Sequence, residues 1–240
     1  MLGDPVAFLI GALFLVPAAL LAVPAHELGH AWAAVWMGDP SPRSRGYLRP
    51  RLRTSFEPIG GLAILLANVG WGREVPVNEY LLPRVGRRVI WCLGGPVANL
   101  LLAIPFGLAV RVAIAQGMTP APGQVPSSVL GLIGELVYAI TFLNLSFFAF
   151  NLLPIPGLDG WRIVEALFRN RYPRFFFDVA ARRQLIWIVC AAVAVLAPLV
   201  LHLDVLGLVV GAFFEPASIG VLGRCTGYVT LDPCPLPFSA

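Results

Sequence analysis

The sequence predicts an all-α protein that crosses a membrane about four times, and three observations carry that prediction. Only 12% of its residues are charged and its mean hydropathy is +0.80, whereas soluble domains carry about a quarter charged residues. The apolar residues fall into long runs, each reaching the roughly 20 residues that a helix needs to cross the hydrocarbon. Every basic residue is Arg, and these gather between the runs rather than along one face. That distribution reads as a topology signal and argues against a nucleic-acid partner, despite the net charge of +4.

The first run extends from Pro5 to Met37. No Arg precedes it and Asp4 does, so it lacks the basic leader of a cleavable signal and is expected to remain as a span. Pro17 and Pro24 each remove a backbone donor and favour a bend just before His26. From 38 to 88 the chain is rich in Arg, Pro and Gly, as expected of a cytoplasmic loop. Within that loop, 59–69 is apolar but too short to span, and is expected to be a re-entrant or interfacial segment.

A second span is expected over about 89–116. It contains Gly94-Gly95-Pro96-Val97-Ala98-Asn99, small residues that allow close helix approach and an amide that seeks a partner across helices. The linker 117–127 has no charge and reads as the outer side. A third span follows over about 129–153, with Glu135 expected to pair with Arg111. Prolines 154 and 156 and glycines 157 and 160 then break the helix at the membrane edge, and a basic amphipathic helix is expected over about 160–172. Residues 1–183 thus form a membrane-embedded core. An additional span is expected over 184–214, kinked at Pro198, and an extracytoplasmic tail over 215–240, with both termini outside. Cys92 and Cys190 read as packing residues, while Cys225 and Cys234 in the tail are close enough to pair in an oxidising compartment.

The chemistry concentrates at His26-Glu27-Leu28-Gly29-His30. Residues four apart share one face of a helix, so His26 and His30 can hold a single zinc ion, with Glu27 beside them as general base for an activated water. Counted from Met37 at about 1.5 Å per residue, the two imidazoles lie roughly 10 and 16 Å along the helix from that end. Ionisable groups at such depth are functional by default. A hydrolytic zinc takes three protein ligands. His202 lies near the outer end of the fourth run, so Asp159, which emerges on the same side as the motif, is the expected third ligand. It is also a good helix N-cap. Asn151 carries an amide suited either to an oxyanion or to a helix-end hydrogen bond, and spacing leaves both open.

These separated motifs together resemble the site-2 proteases, membrane-embedded zinc metalloproteases that cut membrane-associated substrates. The matching residues are 26–30, the Gly94–Asn99 motif, and Asn151 to Gly160. The stretch from Gly70 to Asn78 is similar to the loop of a compact prokaryotic branch lacking PDZ and CBS domains, although Arg73-Glu74 stands where Lys-Pro is commoner. The resemblance implies zinc ligation by His26, His30 and Asp159, base catalysis by Glu27, and an oxyanion or substrate contact by Asn151. It further implies a three-helix catalytic core facing the cytoplasm, and a membrane-protein substrate with a transmembrane helix. The competing reading is a metal-binding transporter or a non-catalytic scaffold.

Overall fold

A computed structural model describes residues 5–49, 57, 60–61, 64, 72–116, 128–203 and 205–223. The described residues are helical wherever they are regular: α1 (Pro5–Met37), α2 (Ser41–Ser44), a 3₁₀ turn (Glu79–Leu81), α3 (Val85–Ala115), α4 (Val129–Asn151), α5 (Asp159–Phe168), α6 (Pro173–Ala181), α7 (Arg183–Leu201) and α8 (Val205–Leu222). Three stretches are long and apolar enough to cross a membrane: Leu9–Met37, Val85–Ile114 and Val129–Asn151. The expected all-α membrane protein is therefore present.

Helices α1, α3 and α4 pack against one another and form the scaffold of the molecule. Their inner faces are small or branched, with Ala18, Ala22 and Val23 of α1 meeting Ile140, Leu143 and Phe147 of α4. Outward faces are apolar too, with Leu13, Leu101, Leu108 and Ile133 all exposed, as lipid contact requires. Ser128 starts α4 by accepting the Gly131 N–H at 3.0 Å.

The α1–α3 contact is the closest and places the rest. A Cβ on Gly29 would overlap the Gly94 carbonyl and stand 2.6 Å from Ala98 Cβ; one on Gly94 would stand 2.6 Å from the Gly29 oxygen. The two backbones touch there, as glycines permit and larger residues do not.

The chain after α4 departs from expectation. Instead of one apolar helix over 184–214 there are two, α7 and α8, parted at His202. His202 adopts a left-handed conformation at φ 52°, and the Leu203 N–H returns 3.3 Å to the Ala197 oxygen, closing the end of α7. The helix expected over 160–172 is α5, which stops at Phe168, and a further helix, α6, opens at Pro173. Arg111 reaches Gly223 at the end of α8, 3.9 Å from the position of a Cβ there, and no ion pair joins it to Glu135.

The segment 59–69 lies almost wholly outside the described residues, as do Cys225 and Cys234; Ile64 within it is fully buried against α1 and α4. The stretch 72–78 is held at both ends. Buried Asp39 accepts the Ser41 N–H at 2.9 Å and the Asn78 N–H at 2.6 Å, tying the end of α1 to this stretch. Arg162 of α5 donates to Glu74 at 2.8 Å.

Candidate metal centre

One helical turn apart on α1, His26 and His30 project toward Gly95 of α3, where the absence of a side chain leaves room for them. The third group arrives from the break after α4. The backbone from Leu152 to Leu158 turns back, with Gly157 at φ 106°, and a Cβ on Gly160 would overlap the Leu152 oxygen. That fold-back sets Asp159, the first residue of α5, against the imidazoles. Its Oδ2 stands 3.1 Å from Nε2 of His26 and 3.1 Å from Nε2 of His30, and the two Nε2 atoms are 3.1 Å apart. All three side chains are buried.

Hydrogen bonds on the far side of each ring decide what these atoms can be. Asn99 donates its amide to the Ala22 carbonyl at 3.0 Å and to Asn144 Oδ1 at 2.8 Å, which leaves its Oδ1 as an acceptor for His26 Nδ1–H at 2.6 Å. Asn144 in turn donates to the Ile140 carbonyl at 2.8 Å. The Trp91 carbonyl can only accept, so His30 donates its Nδ1–H to it at 3.0 Å, the shorter of two contacts at that nitrogen, with the Gly95 N–H 3.3 Å away. Both Nε2 atoms therefore carry lone pairs, and with the Asp159 carboxylate three acceptors converge with no donor among them. A cation resolves that arrangement. Ligands about 2.0–2.1 Å from a tetrahedral centre stand ~3.3 Å apart, close to the spacing found.

Gly95 supplies the seat, since a Cβ on it would overlap His30 Nε2 and stand 2.6 Å from His26 Nε2. These three residues are the one cluster of metal-ligand type among the described residues. Nitrogen and oxygen donors without a thiolate, held by outer hydrogen bonds, suit a borderline divalent metal.

The Asn99 link is testable. Asn99→Ala frees the His26 ring to rotate and is expected to weaken metal affinity by about 10–100-fold, in line with other outer ligands of this kind. Competition against a chromophoric chelator measures it; an unchanged affinity would remove Asn99 from the role.

The cluster lies on a cavity of about 500 Å³. Glu27, adjacent to His26 and 7% exposed, lines that cavity, as do Asn151, Trp91, Glu74, Arg162, Arg183 and Trp187. Asn151 donates Nδ2 to the Phe147 carbonyl at 3.0 Å, which uses one amide hydrogen and leaves the other. The Arg162 guanidinium sits 5.6 Å over the Trp91 ring. Burial works against its charge, but Glu74 and then Asp159 outweigh it and hold the group above its ordinary pKa. His202 stands apart as the C-cap of α7. Sequence reasoning gave Asn99 a structural role and had no reading of Trp91; a polar amide at membrane depth was the available signal for the first, and a backbone carbonyl leaves none.

Comparison with known proteins bears on the lineage. A Bacillus subtilis protein named "Putative zinc metalloprotease YwhC" is 38% identical over 158 residues, 64% of this chain and 68% of that protein. This chain belongs to peptidase family M50. The model of that family matches residues 112–192, a stretch that carries Asn151 and Asp159. The M50 chain is also 31% identical over 161 residues to the Mycobacterium tuberculosis protein named "Putative zinc metalloprotease Rip2", covering 65% of this chain and 57% of that one. Its Mycolicibacterium smegmatis counterpart is 29% identical over 163 residues, with the chain spanning 58% of its length. No solved structure matches the M50 chain. The site-2 protease resemblance read from the motifs agrees with this assignment.

Proposed function

We propose that this chain is an intramembrane zinc metalloprotease that hydrolyses peptide bonds of membrane-associated polypeptides, with His26, His30 and Asp159 as the zinc ligands. The observation that carries the reading is the convergence of three lone-pair donors on a cavity that Glu27 also lines. Zinc, when bound, supplies a Lewis acid for the scissile carbonyl and for water. Glu27 takes the proton of the attacking water and returns it to the leaving amine. The remaining Asn151 amide hydrogen is directed to the oxygen on which charge develops. A helical peptide bond is shielded by its own turns, so the substrate must unwind to reach the cavity; the helix-breaking stretch 152–158, whose Gly157 and Leu158 line the cavity, favours that access.

The site lies at one end of the bundle, where α1 and α4 finish and α3 begins. Arg43, Arg45, Arg84, Arg87 and Arg88 are at the same end, which supports a cytoplasmic orientation. Inverted and right-side-out membrane vesicles carrying the chain and a tagged single-helix polypeptide test both points. In inverted vesicles a membrane-impermeant chelator is expected to stop cleavage and added zinc to restore it, with right-side-out vesicles unaffected. Cleavage that resists chelation in inverted vesicles would overturn the reading, as would zinc accumulation in vesicles without any cleavage product, the mark of a transporter.

A further inference from the structure

The charged residues around the metal cavity sort into those with a partner or a role and one without. Glu27 and Asp159 belong to the proposed chemistry, and Glu74 and Arg162 neutralise each other at 2.8 Å. Arg183 also lines the cavity, and its guanidinium makes no hydrogen bond or ion pair among the described residues. An unpaired guanidinium on a cavity that accepts polypeptide is a ready partner for a carboxylate.

Its seat is shaped by Gly157. That residue has φ 106°, and a Cβ on it would crowd Trp187 Nε1 at 3.3 Å and lie in ordinary van der Waals contact with Arg183 Nε at 3.7 Å. The backbone two residues before Asp159 thus runs beside the Arg183 side chain. Arg183 is also the first residue of α7, where unpaired backbone N–H groups add positive potential.

We propose that Arg183 is a specificity residue that reads an acidic side chain, Asp or Glu, in the polypeptide substrate. The inference rests on the protease reading for its substrate class. The path from Arg183 through Gly157 to Asp159 is on the order of 12 Å at 3.8 Å per Cα step. An extended substrate advances about 3.3 Å per residue, which puts the acidic side chain within about four residues of the scissile bond.

The test uses the full chain in neutral-lipid nanodiscs and paired peptides bearing Asp or Asn at each of four positions on either side of a central bond. Binding is measured in Glu27→Gln protein. Asp is expected to bind about tenfold tighter than Asn at one or two positions. Adding Arg183→Gln should bring that ratio to about one, and Arg183→Glu should invert it in favour of Lys peptides. With Glu27 present, the same positions should act on KM rather than kcat.

Equal binding of Asp and Asn peptides at every position, or a preference that survives Arg183→Gln, would overturn the proposal. So would an Arg183 effect seen only when anionic lipid is added, because the guanidinium would then be reading headgroups. Peptides bound with an Asp preference but left uncut by the Glu27 protein would contradict the protease reading and not this one.

Discussion

Glu27→Gln is expected to lower cleavage by about 10²–10⁴-fold, the usual range for loss of a positioned general base, while the protein keeps its metal. Gln preserves the shape and burial of Glu27 but has no lone-pair oxygen basic enough to take a proton from water. The proposed ligands are His26, His30 and Asp159, and the hydrogen bonds that anchor the two imidazoles, to Asn99 and Trp91, do not involve Glu27. Metal content and turnover should therefore separate. Single-turnover cleavage of a tagged membrane polypeptide, alongside metal analysis of the same preparation, measures both. A Gln variant that cuts within a few-fold of the parent would assign the base elsewhere, and one that loses its metal would make Glu27 a structural support of the site.

A change of one methyl group at Gly95 should also remove most of the activity, by a different route. The new Cβ would occupy the space between the two imidazoles, overlapping His30 Nε2. Relief by moving α3 is blocked because the same turn carries the Gly29–Gly94 backbone contact. Overpacking of this kind typically costs about 1–3 kcal/mol, which a helical bundle can bear, so the variant should accumulate in the membrane yet hold less than about a tenth of the parent's metal. Cleavage should fall in proportion. Full metal content in Gly95→Ala would show that the imidazoles meet the ion from another direction.

Much of the scaffold was legible because the features that fix it are local. Run length gave the three spans, and the four-residue spacing of His26 and His30 put both rings on one face. The side of the membrane on which Asp159 emerges was enough to bring it into view, and the short distances to both rings follow from the fold-back that its prolines and glycines signal. What escaped depends on contacts between distant residues. Asn99 meets His26 across 73 positions and Glu74 meets Arg162 across 88, and neither partner's composition names the other. Glu74, at a position where the branch more commonly has Pro, thus belongs to a cross-link between the 72–78 stretch and α5.

The divided fourth run shows a different limit. Residues 185–214 are apolar throughout apart from His202 and Asp204, so hydropathy alone ran the helix through a point where the backbone turns left-handed. Pro173 is a helix-starting residue that the basic composition around it obscured. Arg111, expected to pair with Glu135, lies instead beside Gly223 at the end of α8, a helix that the single-run reading did not separate.

X-ray absorption at the zinc edge of the purified full chain, compared with Asp159→Ala, addresses the metal centre itself. The account predicts one zinc per chain, two imidazole nitrogens and carboxylate oxygen at about 2.0–2.2 Å, and in the Ala variant a loss of the carboxylate oxygen with weaker retention of the ion. A sulfur shell, a set of oxygens without imidazole, or a spectrum and affinity unchanged by Asp159→Ala would contradict it.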